Sequence, residues 1–256
     1  MHAAALVVVN TEAHLAALRA AYPKAANHMI CVLNGCDEDP VAHAGPRTRF
    51  TVAYAGNIYF DRDPRALFRA AARVIGARGL TPDDFTIELL GDVQTFGDAS
   101  VADLAAEAGV DAYVRVHPRR TRAEALQFMA GASVLLSLPQ SAHLCIPSKI
   151  YEYMQFDAWV LALAEAGSAT ELVLRGTGAD VAAPEDEATI AAILEQRYAE
   201  HVAGTRPPRL IETNPRLTRQ HQAGCLFDAL SRTLAANTFA SSNVPTPSTA
   251  APAAGT

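Results

Sequence analysis

The segment "CIPSKIYEYM", residues 145–154, combines residue types that suit the binding of a phosphate. Pro147 is favoured at the start of a helix, where its missing N–H would have no helical partner in any case. Ser148 and Lys149 then fall beside the first turn, whose unpaired backbone N–H groups attract anions. A hydroxyl, an ammonium and these N–H groups together predict a phosphate site at this helix.

Glu152 follows Ser148 by four residues and is therefore expected on the same face of the helix. A carboxylate there is too close to a phosphate to bind it, but it can accept hydrogen bonds from a ribose diol. The alternative is a glutamate that only compensates the positive end of the helix dipole. His143, in the preceding loop, is compatible with a site residue and with an ordinary loop histidine.

Other candidate residues follow predicted strands directly. Gly56, after "FTVAYA", would let a ligand approach the backbone closely. Arg62 or Arg65, a few residues later, could pair with a phosphate. Gly91 ends the next strand in a similar way. These features also fit plain loops with surface arginines, as does the arginine-rich segment 117–124, "HPRRTRAE".

Apolar runs and amphipathic patterns alternate along most of the chain, which is typical of βαβ units. The predicted strands cover residues 5–10, 28–35, 50–56, 85–91, 112–117, 133–138, 158–163 and 179–182. The predicted helices cover residues 11–22, 64–77, 101–108, 122–130, 170–174, 187–201 and 215–235, with one more opened by Pro147. We therefore predict an α/β fold with a doubly wound parallel sheet over residues 45–205. Ligands of such sheets bind beyond the carboxyl ends of the strands, where the strand order reverses.

Composition excludes several classes of function. The chain has 256 residues, of which 50% are hydrophobic and 7% aromatic, and a net charge of −6 at pH 7. An acidic chain with few aromatic residues is not expected to bind nucleic acid. The four cysteines lack metal-ligand spacing, so we predict buried free thiols and a cytoplasmic protein.

Several signatures are absent from the sequence. No apolar run reaches the ~18 residues of a membrane helix, and no signal peptide is predicted at the start. The motifs GxGxxG after a first strand, GxxxxGK[ST], GxSxG and HExxH do not occur. Their absence disfavours dehydrogenases, P-loop enzymes, hydrolases and zinc proteases.

Taken in order, the motifs of the chain resemble those of the C-terminal half of GT-B glycosyltransferases. The resemblance is greatest to family 4, the "group 1" enzymes that build bacterial surface polysaccharides and glycolipids. The matching motifs are "NG.D" (34–37), "YAGN" (54–57) with Arg62, "LLGD", "V.VHP", "IPSKIYEYM", "TELV" and "G.DVAAPED". The resemblance spans residues 5–232, and the segment from Ile146 to Val173 is its most specific part.

This resemblance implies a nucleotide-sugar donor and no required metal or other cofactor. It places the donor diphosphate near Gly56, Arg62, Ser148 and Lys149, and the ribose at Glu152. The loop at 117–118 would touch the base. The predicted donor-binding residues are Gly56, Asn57, Arg62, Gly91, His117, Pro118, Ile146, Pro147, Ser148, Lys149 and Glu152. No catalytic residue is assigned.

The chain departs from the family pattern in two ways. Leu144 stands where the family often has the first of two glutamates, which touches the donor sugar. Most of the acceptor-binding N-terminal domain is missing, and residues 1–44 resemble only its last strand and helix followed by a linker. We predict a crossing helix within 206–236, with an apolar stripe that packs on this remnant or stays partly exposed, and a disordered tail at 237–256.

Three hypotheses follow for the function. The first is the donor-binding half of a retaining group 1 glycosyltransferase, which acts on a polysaccharide or glycolipid with an acceptor half supplied by another polypeptide or by self-association. The second is a non-catalytic or degenerate nucleotide-sugar-binding module, because a cleft with one wall positions its reactants poorly. The third is another enzyme of the GT-B fold, such as a nucleotide-sugar 2-epimerase, which the order "IPSK…E" disfavours. Any peripheral membrane contact would reside in the missing half.

Overall fold

The computed structural model describes residues 4–37, 47–59, 61–138 and 143–242, with side chains as far as residue 235. The strands are β1 (Val7–Val9), β2 (Met29–Cys31), β3 (Phe50–Ala55), β4 (Phe85–Leu90), β5 (Thr95–Phe96), β6 (Ala99–Ser100), β7 (Val114–His117), β8 (Val134–Ser137), β9 (Trp159–Leu163) and β10 (Asp180–Ala182). The helices are α1 (Glu12–Ala21), α2 (Arg65–Arg78), α3 (Val101–Glu107), α4 (Arg122–Ala130), α5 (Ser148–Tyr153), α6 (Ala169–Leu174), α7 (Glu187–Val202), α8 (Leu210–Thr213) and α9 (Arg219–Ser242).

The main sheet has six parallel strands in the order β10-β9-β8-β3-β4-β7. The chain starts in the middle at β3, builds outward through β4 and β7, and then returns to the other side of β3 through β8, β9 and β10. The strand order therefore reverses between β3 and β8, and the carboxyl ends of these two strands define the switch point. The predicted doubly wound α/β fold is confirmed.

Helices cover both faces of this sheet, as the alternation of side chains along β3 shows. Phe50, Val52 and Tyr54 pack into one core with α2, α3 and α7. Ala53 and Ala55 pack into the other core with α4, α5, α6 and α8. Because both faces are buried, the strands form nearly continuous apolar runs, which made them easy to find in the sequence.

The first elements form a small unit of their own, which we call the N-terminal unit (residues 7–31). β1 and β2 pair in parallel, and α1 connects them. Thr11 caps α1 as predicted, since its side chain accepts a hydrogen bond from the His14 N–H. Within the described residues, neither strand pairs with the main sheet. Four side chains form the unit's core: Val9, Leu15, Ala25 and Met29.

The start of α9 is bound to the segment that follows the N-terminal unit. The Cys36 N–H donates to Leu217 O and the Arg219 N–H donates to Cys36 O, each at 2.8 Å. A Cβ on Gly35 would lie 2.8 Å from the Arg219 nitrogen, so this close approach requires a glycine. The contact anchors only the first turn of α9. Further along the helix, Phe227 and Leu234 are each 67% exposed.

The structure corrects several details of the sequence-based prediction. A hairpin of β5 and β6 and the short helix α8 were not expected. The last helix continues to Ser242, so residues 237–242 of the predicted tail are helical, while 243–256 lie outside the described residues. Most of the predicted linker, residues 38–46, also lies outside them. The boundaries assigned to the individual domains stay predictions.

The prediction of buried thiols was wrong for two of the four cysteines. Cys36 is buried and Cys31 is half-buried, but Cys145 and Cys225 are exposed. All four are free thiols. Cys145 follows an apolar strand in sequence, yet it lies in the loop before α5, where the chain has already left the core.

Candidate functional site

A cavity of about 320 Å³ lies at the switch point between β3 and β8. We call it the switch-point cavity. Its lining residues are Tyr54, Ala55, Gly56, Asn57, Tyr59, Arg62, Ser137, Leu138, Pro147, Ser148, Lys149 and Tyr153. Among these described residues the charged ones are Arg62 and Lys149. Two cations and the hydroxyl of Ser148 give the cavity the chemistry of an anion site.

Arg62 is held in this cavity by three groups from the end of β3 and the loop behind it. Its Nη1 donates to the Asn57 carbonyl oxygen at 3.0 Å and to the Tyr54 hydroxyl at 3.3 Å. The guanidinium carbon lies 4.3 Å from the centre of the Tyr59 ring, a cation–π contact. Burial raises the pKa of Tyr54 although Arg62 opposes the shift, so Tyr54 stays neutral and donates to Asn57 O at 2.8 Å.

The alternative candidate, Arg65, has a different environment. It forms a two-point ion pair with Asp63, with its Nη2 2.6 Å from Oδ2. It lines a separate cavity together with Glu185 and Glu187. The geometry therefore favours Arg62 over Arg65 as a ligand-facing arginine at the switch point.

α5 carries Ser148 and Lys149 to the same cavity, directly after Pro147, which is its N-cap residue. Tyr153 fixes this helix to the sheet, since its buried hydroxyl accepts a hydrogen bond from the Ala55 N–H at 3.3 Å. Burial raises the pKa of Tyr153. α5 has only six residues, so we attribute the cationic character of the cavity to the side chains of Arg62 and Lys149 rather than to the helix dipole.

Gly56 and Gly91 lie against each other at the tips of β3 and β4. The Gly56 N–H donates to Leu90 O at 2.9 Å, and the Gly91 N–H donates to His117 O at 3.1 Å. Gly91 has a φ of +125°, and a Cβ on it would lie 2.1 Å from Gly56 O. No other residue type fits at Gly91 without moving the loop that lines the switch-point cavity.

A second cavity of about 410 Å³ adjoins the first on the other side of Ser148. We call it the α5–α9 cavity. It is lined by Asn34, Gly35, Cys36, Asp37, Arg122, Ser148, Tyr151, Glu152, Gln155 and Arg219. Ser148 and Glu152 therefore share a cavity, as their spacing in the helix predicted. Both cavities are lined by α5 and share Ser148, and we refer to the two together as the groove.

Glu152 contacts a cation through each of its carboxylate oxygens. Lys149, three residues earlier on α5, pairs with Oε2. Arg122 Nη1, at the start of α4, lies 3.6 Å from Oε1. The Glu152 side chain is only 15% exposed, so this carboxylate is held inside the groove rather than on an open surface.

The remaining predicted site residues lie at the same edge of the sheet or beside it. His117 is at the tip of β7, where its Nε2 lies 2.8 Å from Glu88 Oε2, and Pro118 after it is exposed. Ile146 packs partly against the second core. His143 and Leu144 are exposed in the loop before α5. Neither His117 nor Pro118 lines the two described cavities, so their contact with a base stays a prediction.

Several residues of the groove were not predicted from the sequence. Tyr54 was predicted only as part of a strand, although its position near the carboxyl end of that strand could have identified it as a site residue. Tyr59 follows in the loop that was already under consideration. Arg122 was grouped with a solvated arginine loop, and Arg219 gave no signal, because it reaches the groove only through the packing of α9.

The site thus belongs to a doubly wound α/β domain with a cationic cavity at its switch point, and comparisons with solved structures agree with this fold. HepE from Anabaena in complex with UDP matches with a TM-score of 0.68 and 20% identity, over 90% of this chain and 64% of that chain. A glycosyltransferase from Rickettsia africae matches with a TM-score of 0.69 and 12% identity, over 90% and 63%. The lipopolysaccharide outer core galactosyltransferase WaaB matches with a TM-score of 0.66 and 14% identity, over 91% and 62%.

These neighbours are GT-B glycosyltransferases, and the match confirms a Rossmann-like fold of their type. At 12–20% identity the likeness concerns the fold alone. The chain spans 62–64% of the length of these solved structures. No protein-family model and no curated protein matches the sequence. In the part of the chain that the structure describes, no helix has the length and apolar character needed to cross a bilayer.

Proposed function

We propose that this chain carries the donor-binding half of a group 1 glycosyltransferase, which transfers a sugar from a nucleotide-diphosphate sugar to a polysaccharide or glycolipid. The observation that supports it most is the switch-point cavity, whose charged lining residues Arg62 and Lys149 are both cations. A diphosphate is the anionic part of such a donor, and two cations suit it. Solved neighbours of similar fold include complexes with UDP and UDP-glucose.

The groove suggests how the parts of the donor are distributed. The diphosphate lies between Arg62 and Lys149, with Ser148 as a hydrogen-bond donor. The ribose lies further along α5, where Glu152 accepts hydrogen bonds from its hydroxyls. The base points to the loop at 117–118. Gly56 lines the switch-point cavity, and Gly91 lies against it at the tip of β4.

In the transfer itself, the bond between the anomeric carbon and the diphosphate oxygen breaks, and the nucleoside diphosphate leaves with the electron pair. The acceptor hydroxyl forms the new bond to that carbon and gives its proton to an oxygen of the departing diphosphate. Arg62 and Lys149 stabilise the charge that develops on the leaving diphosphate. We propose a retaining reaction without a required metal, and a cytoplasmic enzyme.

The acceptor side of the reaction needs residues beyond those of the groove. We propose that a separate polypeptide or a second copy of the chain provides them and provides any peripheral membrane contact. One observation supports this. Phe227 and Leu230 leave an exposed apolar surface on α9 that a partner could cover.

A second candidate function is a non-catalytic nucleotide-sugar-binding module. It is favoured by Leu144, an exposed apolar residue at the position where a carboxylate would reach the donor sugar. Such a module would bind the donor through the same groove and would leave it intact. Incubation with the sugar nucleotide and the partner half would distinguish the two, because only the enzyme would release nucleoside diphosphate.

Calorimetric titration with UDP, GDP and their sugars tests the donor site. We expect saturable binding of one nucleotide class, weakened by about 1–3 kcal/mol in Glu152→Ala through the loss of charge-assisted hydrogen bonds. Glu195→Ala, an exposed glutamate on α7 paired with Arg78, is the matched control and should bind like the wild type. A folded wild-type protein that binds none of these nucleotides would refute the proposal.

A further inference from the structure

In the proposed function Lys149 binds a phosphate, but in the structure it forms an ion pair with Glu152. Glu152 is to bind the ribose, yet the Lys149 ammonium is paired with its Oε2. An ammonium on a flexible stem can turn from a carboxylate to a phosphate. A diphosphate carries more negative charge than one carboxylate and competes for this cation. Glu152 then loses one of its two partners.

Arg122 remains as the other partner of Glu152. It approaches Oε1, the oxygen that Lys149 does not contact, at 3.6 Å. It comes from α4, whereas Lys149 comes from α5, so the movement of one does not displace the other. The start of α4 is fixed by a capping box between Thr121 and Glu124, whose side chain and backbone groups bond reciprocally.

We propose that Arg122 is a positioning residue that holds the Glu152 carboxylate in place when a diphosphate draws Lys149 away. This inference rests on the proposed function and adds a residue to it. Arg122 keeps Oε1 occupied, while Oε2 becomes available to a ribose hydroxyl. Arg122 lines the α5–α9 cavity with Glu152 and lies outside the set of residues that line the switch-point cavity.

The first test compares UDP with uridine, which lacks the diphosphate. With uridine, Lys149 stays on Glu152 and the carboxylate keeps its support, so Arg122→Ala should change the affinity less than twofold. With UDP, Arg122 is the remaining support, and Arg122→Ala should weaken binding about three- to fivefold. Arg122 is 75% exposed, so its removal should leave the thermal unfolding temperature unchanged.

Arg119→Ala is the matched control. Arg119 is exposed in the same loop, three residues earlier, and forms no ion pair with any residue that the structure describes. It contributes the same charge to the surroundings of the groove without touching Glu152. Its removal should leave the affinity for UDP within twofold of the wild type, and a loss equal to that of Arg122→Ala would overturn the inference.

A second test asks whether Arg122 acts by holding Glu152 or by attracting the phosphates directly. In a Glu152→Gln background, Arg122 has no carboxylate to hold, and Arg122→Ala should have no further effect on UDP. The same three- to fivefold loss in that background would overturn the inference. In a Lys149→Ala background, Arg122 is the one cation left of the two that contact Glu152 among the described residues, so Arg122→Ala should now weaken the binding of uridine as well.

The outcomes distinguish this inference from the proposed function. If the wild-type protein binds no nucleotide, both are wrong. If UDP binding depends on Glu152 but is indifferent to Arg122 in every background, the donor site stands and the positioning role of Arg122 is wrong. A loss for UDP that disappears in Glu152→Gln supports both.

Discussion

The main sheet and the sheet of the N-terminal unit differ in how completely each is built. The main sheet has six parallel strands with helices on both faces, and most residues of β3, β8 and β9 are fully buried. The N-terminal unit has two strands, one long helix and a core of four buried side chains. A two-stranded sheet is marginal by itself. The unit therefore depends on contacts with the rest of the chain, such as the hydrogen bond from the Thr11 hydroxyl to Leu144 O at 2.7 Å.

This difference separates the binding of a donor from the rest of the proposed reaction. The cationic lining of the switch-point cavity comes entirely from the loop after β3 and from α5. The segment after the N-terminal unit, residues 34–37, forms only a wall of the α5–α9 cavity. We therefore expect nucleotide binding to follow the integrity of the main sheet and to tolerate damage to the N-terminal unit.

The largest effect is expected from core substitutions in the two regions. Phe68→Ala, at a fully buried position of α2, should lower the free energy of unfolding by about 3–5 kcal/mol. Leu15→Ala should cost about 2 kcal/mol, because fewer buried groups surround it, and should retain nucleotide binding. Urea denaturation followed by fluorescence of the single tryptophan, Trp159 in β9, measures both. Equal costs would mean that the two regions share one core.

A substitution at the paired glycines tests the close approach at the strand tips. Gly91→Ala combines a positive φ with a clash against Gly56 O and should cost at least about 2 kcal/mol of stability, with weaker UDP binding. Gly97→Ala, in the β5–β6 turn, has a φ of +58° but open space around the new Cβ. It should cost about 1 kcal/mol and leave binding intact. If Gly91→Ala and Gly97→Ala had the same effect on UDP binding, the contact between Gly91 and Gly56 would have no role in the site.

Arg62 and Arg65 give a matched pair within the main region. Arg62→Ala should weaken UDP binding by about 1.5 kcal/mol, roughly tenfold, since it removes a cation from the switch-point cavity. Arg65→Ala should change it less than twofold, because Arg65 is paired with Asp63 outside that cavity. Calorimetric titration of the two variants measures the difference, and a larger loss for Arg65→Ala would reverse the assignment.

The reactivity of the Cys31 thiol measures how often the N-terminal unit opens to solvent. Burial, together with the charge and hydrogen bond of Glu12, raises the pKa of Cys31 to about 12. At pH 8 a chromogenic disulfide reagent should therefore modify the exposed Cys145 and Cys225 quickly, and Cys31 and Cys36 slowly. Four fast thiols would show that the N-terminal unit opens readily.

The same shift has a consequence for stability. Because the folded pKa of Cys31 lies above its unfolded value near 9.0, the folded state holds this proton more tightly. The stabilisation is fully present below pH 9 and is lost as the pH rises toward 12. A Cys31→Ser variant should therefore lose less stability than the wild type over that range, measured by urea denaturation at several pH values.

Much of the main region could be predicted because its elements carry strong local signals. The helix Arg122–Ala130 was predicted to the residue, since Thr121 and Glu124 form a capping box before it. The β5–β6 hairpin and α8 are too short to show a period in the sequence. The continuation of α9 to Ser242 was missed because "NTFASS" has no strong apolar period to extend the helix.

The part of the site that lies at the carboxyl ends of the strands could be predicted, because ligands of parallel sheets bind there. Gly56, Arg62 and Ser148 follow strands or open a helix, so their place at one edge of the sheet could be inferred. The division into two cavities could not, because it depends on where α9 packs. The contact between Arg122 and Glu152 joins residues 30 positions apart and is a product of the packing of α4 beside α5.

The most direct measurement of the central claim is the difference between UDP and uridine in Lys149→Ala. A phosphate role for Lys149 predicts that the variant loses about tenfold in affinity for UDP and little for uridine, because the missing cation faces the diphosphate. Calorimetry under identical buffer and salt provides both affinities. Equal losses for the two ligands would contradict the assignment of the switch-point cavity to the diphosphate.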